Sequence, residues 1–340
     1  MAKTIQSERG KATIKDVAAK AGVAWMTVSR VLSDPDVVTP ATRARVEAAI
    51  VDCGYVPNSL ARGLRASRSR IVVVIVPSIS NPVFSEVIRG VSDLLNPHGF
   101  EILFGSTDYD LVVEERRVRT FLQWGPEAFI IAGSTHSDGT IKLLQTRSVT
   151  VVEIMETTPT PIDLNVGLCH TRVGRDMGIY LCDRGYSRMA FVSTRIQGDA
   201  RALRRRDGFR AALEQKGVRR PLEHDLDETL SYGVGVHYVR QLLKQKRRPD
   251  ALYFSSDVLA VGALLECQRQ GFEVPKGIAV AGFNGLDISE HVNPPLTTTL
   301  TPRYEIGHTA ARMVLDRHAG TNDLPAQIDV GSELLRRQSA

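Results

Sequence analysis

The sequence predicts a small all-α helix-turn-helix head followed by a two-lobe α/β body with two parallel, doubly wound sheets. Residues 13–34 carry two short helical patterns separated by a glycine turn, which predicts the head. From residue 71 onward, β-branched runs alternate with helical patterns, which predicts the body. Charge separates the two parts: residues 1–70 hold 12 Lys and Arg against 6 Asp and Glu, whereas residues 71–340 hold 31 against 32.

The helix-turn-helix pattern begins at Thr13. It predicts a short helix over 16–20, a turn over 21–23 and a second helix over 24–32. Gly22 lies where the tight turn needs a residue that can take φ > 0. The apolar residues whose spacing points them inward are Val17, Ala18, Val23, Val28 and Val31.

The second helix keeps an outward face of Trp25, Met26, Ser29 and Arg30. A recognition helix presents such a face to the major groove of DNA. The alternative is an amphipathic helical hairpin with no role in nucleic-acid binding. The positive excess of the first 70 residues favours DNA binding, because neutralisation of phosphates supplies much of the affinity for DNA.

A third helix is predicted over 38–55, with Pro40 at its first position and Gly54 at its end. Segment 56–70 has two leucines four residues apart, Leu60 and Leu64, surrounded by arginines. This segment has too few apolar residues for a core of its own. We expect a linker that becomes helical only when docked, and a plain flexible linker is the alternative.

The body pattern predicts buried parallel strands at 71–77, 100–107, 128–133, 149–154, 189–194, 251–256 and 278–283. It predicts helices between them at about 84–99, 113–125, 139–147, 172–184, 207–217, 235–246 and 258–271. The units form two clusters on either side of residue 165, which indicates two lobes. Ligands of such folds bind at the carboxyl ends of the strands, so we expect a ligand cleft between the lobes.

Several classes of protein are disfavoured. The four cysteines have no metal-ligand spacing, so we expect neither a metal nor a cofactor. No apolar run approaches about 20 residues and the N-terminal segment is polar, so we expect a soluble bacterial cytoplasmic protein at the chromosome, with no membrane partner. An enzyme acting on a sugar or nucleotide is disfavoured because the dinucleotide, phosphate-loop, nucleophile-elbow and HExxH motifs are absent. A chromosome-associated protein without an effector would not need a two-lobe body.

The chain resembles the LacI (lactose-repressor) family of bacterial transcription regulators. The resemblance rests on TIKDVAAKAGVAWMTVSRVLSD (13–34), YVPNSLARGLRASRS (55–69) and LTTTLTPRYEIGHTAARMVLD (296–316). Within that family the segments PSISNPVFSEVIRG (77–90) and DVLAVGALLECQRQG (257–271) are most similar to the gluconate-repressor branch.

The resemblance implies a helix-turn-helix head over 1–57, a hinge helix or linker over 58–70, and an effector-binding and dimerisation domain over 71–340 that is shaped like a periplasmic sugar-binding protein. The first lobe would comprise about 71–167 and 300–325, and the second about 168–299 and 326–340. It also implies a homodimer on a pseudo-palindromic operator. No leucine heptad follows residue 335, which favours a dimer over a tetramer.

The resemblance also implies the DNA contacts. Arg30 can make a bidentate contact to guanine, while Trp25 and Met26 suit thymine methyls, with core packing as the alternative for Met26. Thr13, Thr27 and Ser29 can bind phosphates. In the hinge, Leu64 matches the leucine that the family inserts into the minor groove. The hinge residues expected to contact DNA are Asn58, Arg62, Leu64 and Arg65.

Carried over from the family, the effector-binding positions are Val83, Phe84, His136, Arg205, Tyr253, Ser256, Asp257 and Asn284. For His136, a structural polar role is the alternative. Members that bind neutral sugars or purines usually hold an acidic residue where this chain has Asn284, and many of them hold asparagine where it has Ser256. Loss of a carboxylate beside Arg205 makes the cleft more positive, which suits a small sugar acid such as gluconate or a ketogluconate. A neutral sugar or a purine is the alternative. Of the neighbouring Arg201, Arg204 and Arg206, at least two are expected to face solvent.

We expect control by a population shift. The effector closes the cleft, rotates the first lobes of the dimer, separates the hinge segments and loosens the heads from DNA. The sequence leaves the direction of control open, with induction of a repressor as the preferred interpretation.

Overall fold

The computed structural model describes residues 12–56, 69–147 and 149–340, with the backbone alone at Ser33. The chain divides into two compact units, one up to Ser69 and one from Arg70 to Ala340. In the described ranges no helix is long and apolar enough to cross a membrane.

Residues 12–56 of the head form three helices, α1 (Ile14–Ala21), α2 (Trp25–Ser33) and α3 (Pro40–Cys53), with a 3₁₀ turn at Pro35–Val37. Thr13 caps α1: its hydroxyl accepts from the Asp16 amide, and the Asp16 carboxylate accepts from the Thr13 amide at 2.7 Å. Gly22 ends α1 at φ 64° and Gly54 ends α3 at φ 60°. The predicted turn and both glycine helix ends are confirmed.

The core of the head is small and made of short side chains. Val17, Val28 and Val46 are fully buried, and Val31 nearly so. Val23 packs against this cluster while partly buried. The inward face predicted from the helical spacing is therefore confirmed.

The body is built from repeated strand–helix units. Its helices are α4 (Val83–Leu95), α5 (Leu111–Leu122), α6 (Asp138–Thr146), α7 (His170–Asp183), α8 (Ala200–Gln215), α9 (Tyr232–Leu242), α10 (Asp257–Arg269), α11 (Ile288–His291) and α12 (Arg303–His318). Its strands are β1 (Ile71–Val76), β2 (Glu101–Ser106), β3 (Ala128–Ala132), β4 (Thr150–Ile154), β5 (Leu164–Gly167), β6 (Met189–Thr194), β7 (Leu222–Leu226), β8 (Ala251–Phe254), β9 (Ala279–Asn284), β10 (Thr297–Leu300), β11 (Gln327–Asp329) and β12 (Glu333–Leu335). Short 3₁₀ turns lie at Asn96–His98 and Ile196–Gly198.

The strands form two six-stranded sheets, one per lobe. The first has the order β11-β5-β4-β3-β1-β2 and the second β12-β10-β9-β8-β6-β7. Among the strands that the structure describes, every pairing is parallel except that of β10 with β12. The two-lobe α/β fold is thus confirmed. The placement of residues from 326 onward in the second lobe is wrong for β11, which pairs with β5 of the first sheet.

Helices α7 and α8 of the second lobe pack at backbone contact distance. A Cβ built on Gly208 would lie 2.0 Å from the carbonyl oxygen of Thr171, and one on Gly174 would lie 1.9 Å from that of Arg205. Only glycine fits at these two positions. This close packing holds the backbone of Arg205 against α7.

Candidate DNA-reading face and effector cleft

The outward face of α2 is exposed as the sequence predicts. Trp25 and Met26 are 43% and 53% exposed, so Met26 lies outside the head core. Arg30 is also exposed, while Thr27 and Ser29 are half-buried beside it. One helix thus presents aromatic, thioether, hydroxyl and guanidinium groups on a single side.

Thr13 is engaged locally rather than held open for a phosphate. Its hydroxyl donates to the Asp16 carboxylate at 2.7 Å, within the cap of α1. The hinge positions Asn58, Arg62, Leu64 and Arg65 lie outside the described residues.

In the body, a cleft of about 940 Å³ lies between the two lobes at the carboxyl ends of the strands. Both lobes line it, as the fold predicts. Of the positions carried over from the family, those that line the cleft are Val83, Phe84, Arg205, Ser256 and Asn284.

The structure does not bring His136 to the cleft. Its side chain is 1% exposed and lies between two carboxylates, with Nδ1 2.8 Å from Glu114 and Nε2 3.4 Å from Glu153, a charge-pairing distance rather than a short hydrogen bond. Burial alone would lower the pKa of His136, but Glu114 and Glu153 raise it to about 9. The imidazolium is thus bound inside the first lobe, and its placement fits the structural alternative.

Tyr253 and Asp257 also lie outside the lining of the cleft, each fully buried. Tyr253 packs edge-on against Phe209 at 5.2 Å. Asp257 accepts from the Thr298 hydroxyl at 2.6 Å and from the Leu286 amide at 2.7 Å. Burial raises the pKa of Asp257 to about 6 despite these hydrogen bonds. Asp257 therefore supports the loop after Asn284 from beneath instead of contacting the cleft.

Arg205 is the best-anchored cation of the cleft. Its Nη1 donates to His170 Nδ1 at 2.9 Å and its Nη2 to the Ser255 carbonyl at 3.1 Å, while the guanidinium carbon lies 3.9 Å from the Phe283 ring centroid. His170 Nε2 donates to the Met155 carbonyl, which leaves Nδ1 as an acceptor. Burial and the charges of Arg205 and Arg201 hold the pKa of His170 well below its usual range, so the ring is neutral. Among the described residues, no carboxylate lies within 4 Å of the Arg205 guanidinium.

Sequence reasoning missed the start of α8, which lies at Ala200 rather than near 207. Asp199 caps this helix by accepting from the amides of Arg201 and Ala202. The extra turns carry Arg201 into the cleft, where it is only 8% exposed. The signal was the aspartate itself, a preferred N-cap residue eight positions before the first helical residue predicted.

Arg204 and Arg206, in contrast, leave the cleft. Arg204 pairs with the buried carboxylate of Glu156, which follows β4 of the first lobe. Arg206 pairs with Asp207 at 2.8 Å on the outer side of α8.

Asn284 lies in a segment that is connected to both lobes. It is a non-glycine residue at φ 116°, a conformation that persists only where its surroundings impose it. Its carbonyl and that of Gly285 accept from the guanidinium of Arg303, the first residue of α12. Helix α12 packs on α4 of the first lobe. A ligand that contacts Asn284 therefore contacts a segment fixed to both lobes.

The chain matches two described protein families. Residues 13–58 match "Bacterial regulatory proteins, lacI family", and residues 179–340 match "Periplasmic binding protein-like domain". Two similar curated proteins are HTH-type transcriptional regulators GntR. The one from Escherichia coli strain K12 is 32% identical over 96% of this chain and 98% of its own, and the one from Pseudomonas aeruginosa is 34% identical over 97% and 96%. A crystal structure of a LacI-family transcriptional regulator from Silicibacter pomeroyi superposes with a TM-score of 0.91 at 35% identity, over 96% of this chain and 99% of its own.

Proposed function

Because the chain belongs to the LacI family of bacterial regulatory proteins, and is a DNA-binding transcriptional regulator, we propose that it is a repressor controlled by a small sugar acid bound between its two lobes. Its similar proteins are regulators rather than enzymes. We further propose that it acts at the bacterial chromosome.

The observation that supports an acidic ligand is the burial of the Arg205 guanidinium. It is 3% exposed, its hydrogen-bond acceptors are neutral, and no carboxylate among the described residues lies within 4 Å of it. A buried cation without a counter-ion favours an anion from solution. The resemblance of the sequence to the gluconate-repressor branch supports a sugar acid of that kind.

A thermal-shift measurement on the full-length protein tests this ligand class. A ligand that binds only the native state raises the melting temperature with concentration. We expect D-gluconate or 2-keto-D-gluconate to raise it and D-glucose to leave it unchanged. Stabilisation by neutral sugars or purines alone would overturn the acidic-ligand proposal and favour the alternative.

For the DNA interaction, we propose that Arg30 reads guanine and that Trp25 and Met26 contact thymine methyls. Thr27 and Ser29 would bind phosphates, and Thr13 would do so only if its cap contact to Asp16 opens. The hinge roles of Asn58, Arg62, Leu64 and Arg65 stay predictions. Selection of bound duplexes from a random library tests the reading: we expect a two-fold symmetric motif, and an asymmetric or absent motif would contradict it.

We also propose a homodimer. Strand β2 is an edge strand of the first sheet, and Phe104 on it is 43% exposed. Ile79, in the loop after β1, and Val112, in the first turn of α5 at the same end of the sheet, are 66% and 77% exposed. An unpaired strand edge with apolar side chains favours association with a second copy. Light scattering after size exclusion should give twice the chain mass, and Phe104→Glu should give a monomer.

Control of DNA binding would follow from cleft closure. A ligand between Arg205 and the first lobe favours the closed arrangement of the lobes, and it can shift the protein only by its preference for that arrangement. We propose that the closed form binds operator more weakly, so that the sugar acid induces the regulated genes.

A further inference from the structure

The end of the cleft at the start of α8 contains two buried arginines that differ in how many of their donors are already hydrogen-bonded. Arg205 has both Nη atoms committed to the protein, and only its Nε lacks a partner among the described residues. That Nε lies between the two committed arms of a guanidinium stacked on Phe283. Arg205 therefore supplies positive charge but few free donors.

Arg201 is the opposite case. Its Nε lies 3.5 Å from Asp199, a long contact, and its Nη1 is buried without a hydrogen-bond partner among the described residues. Burial alone would raise the pKa of Asp199, but the charges of Arg201 and Arg205 lower it, so its carboxylate is ionised. Within 4 Å of these two guanidiniums, the described residues place one carboxylate, that of Asp199. A buried donor with no acceptor is costly, and it points to a ligand oxygen.

The first lobe closes the same corner. Phe84 lies with its ring centroid 6.0 Å from the guanidinium carbon of Arg201. Asp108 and Tyr109 are consecutive non-glycine residues at φ 52° and 63°, a strained loop that brings Tyr109 to the cleft. A Cβ built on Gly198 would lie 3.5 Å from that of Tyr109, so this loop lies against the start of α8.

The hydroxyl of Tyr109 is suited to donate. Burial raises the pKa of Tyr109, and so does the charge of Asp199, so the phenol keeps its proton at neutral pH. Arg201 and Arg205 are close enough that their charges act on it in the opposite sense. Donors from both lobes thus converge on one small volume beside the two guanidiniums.

We propose that the carboxylate of the effector binds in this corner, with Arg201 of the second lobe and Tyr109 of the first as its direct hydrogen-bond donors. Arg205, which the sequence singles out, contributes charge and is held in place by His170 as a positioning residue. The inference rests on the proposed acidic effector and deepens it, because it assigns recognition of the acid group to residues from both lobes.

Isothermal titration of the full-length protein with D-gluconate tests the assignment. Arg201→Gln should weaken binding by about 30-fold or more, since it removes a charge-assisted contact. Arg201→Lys should recover part of the loss, and Tyr109→Phe, which removes one oxygen, should weaken binding about fivefold to tenfold. Arg206→Gln, on the same helix but outside the cleft, is the matched control and should bind within about twofold of the wild type.

Folding is expected to survive these changes. Asp199 keeps its contacts to the amides of residues 201 and 202 when the Arg201 side chain is replaced. The melting temperature without ligand should therefore stay near that of the wild type. Wild-type affinity in both Arg201→Gln and Tyr109→Phe would overturn this inference while the proposed acidic effector stands. Failure of the wild type to bind D-gluconate and 2-keto-D-gluconate would overturn both.

Discussion

The head leaves large apolar side chains on its surface, whereas the body takes charged side chains into its interior. Trp25 and Met26 are about half exposed on a three-helix unit whose own core consists of valines and alanines. The body buries Arg201 and Arg205 in the cleft. It also buries the side chain of His136 between Glu114 of α5 and Glu153 of β4. A duplex is a large ligand that needs an accessible face, while a small acid needs groups already removed from water, where their charges act strongly. The exposed face of the head thus suits a DNA duplex, and the buried charges of the body suit a small acid.

The largest effect should come from filling the α7–α8 contact. Gly208→Ala places a Cβ 2.0 Å from the Thr171 carbonyl, so the helices must separate, at a cost of about 3 kcal/mol or more to the body. Differential scanning calorimetry should show a lowered melting temperature together with weaker D-gluconate binding. Gly233→Ala in α9, where the nearest atom would be 3.7 Å away, is the control and should melt at the wild-type temperature or slightly above it. Normal stability of Gly208→Ala would contradict the rigid placement of Arg205.

His136 should make the stability of the body depend on pH. Its folded-state pKa of about 9 lies above the unfolded value of 6.5, so the stabilisation is fully present below pH 6.5 and is lost as the pH rises to 9 and beyond. Over that window the free energy of unfolding should fall by about 3 kcal/mol. Urea unfolding at pH 6, 7.5 and 9 measures it.

The variant His136→Gln should lose this pH dependence, since it cannot carry a charge between Glu114 and Glu153. The surface residue His291 provides the control, because His291→Gln should keep the wild-type profile. An unchanged profile in His136→Gln would mean that the buried imidazolium does not set the pH response.

Loss of side-chain volume in the core of the head should destabilise the head alone. Val28 is fully buried in the head cluster, and Val28→Ala should cost the head about 2 kcal/mol. DNA binding should fall while the Kd for D-gluconate stays at the wild-type value, because the two units have separate cores. Val51→Ala on α3, 80% exposed, should change neither. Weaker gluconate binding in Val28→Ala would contradict the independence of the two units.

The smallest effect should appear at the outward face of α2. Arg30→Ala should cost about 1.5 kcal/mol on the selected operator, roughly tenfold in Kd, and should relax preference at one base position. Anisotropy titrations on the operator and on a single-base variant measure both. A loss of phosphate contacts, as proposed for Arg45→Ala on α3, should weaken binding to both duplexes equally. Equal loss on both duplexes in Arg30→Ala would assign Arg30 to the backbone instead.

The head could be predicted closely from sequence because its determinants are local. Gly22 and Gly54 end helices within a few residues of where the pattern placed them, and Val17, Val28 and Val31 follow a helical period. Most body strands were also visible as β-branched runs. The short or polar strands were not: β7 reads LEHDL and has no apolar run to identify it.

The cleft was harder to predict from the sequence because its residues converge from distant segments. Tyr109 reaches it through two left-handed residues that no local pattern marks, and Arg201 reaches it through a cap at Asp199. His136 was carried over by family position, but Glu114 and Glu153, from two other elements, bind it inside the lobe. Which of several polar residues faces a ligand depends on such neighbours, and sequence spacing does not supply them.

The central claim is that a sugar acid in the cleft sets the affinity of the head for DNA. The most direct measurement is the Kd of the full-length protein for its selected operator duplex, with and without saturating D-gluconate. We expect gluconate to weaken operator binding by about tenfold or more, and operator to weaken gluconate binding by the same factor, as linkage requires. An operator Kd that is unchanged by gluconate, under conditions where calorimetry shows the cleft to be filled, would contradict the account.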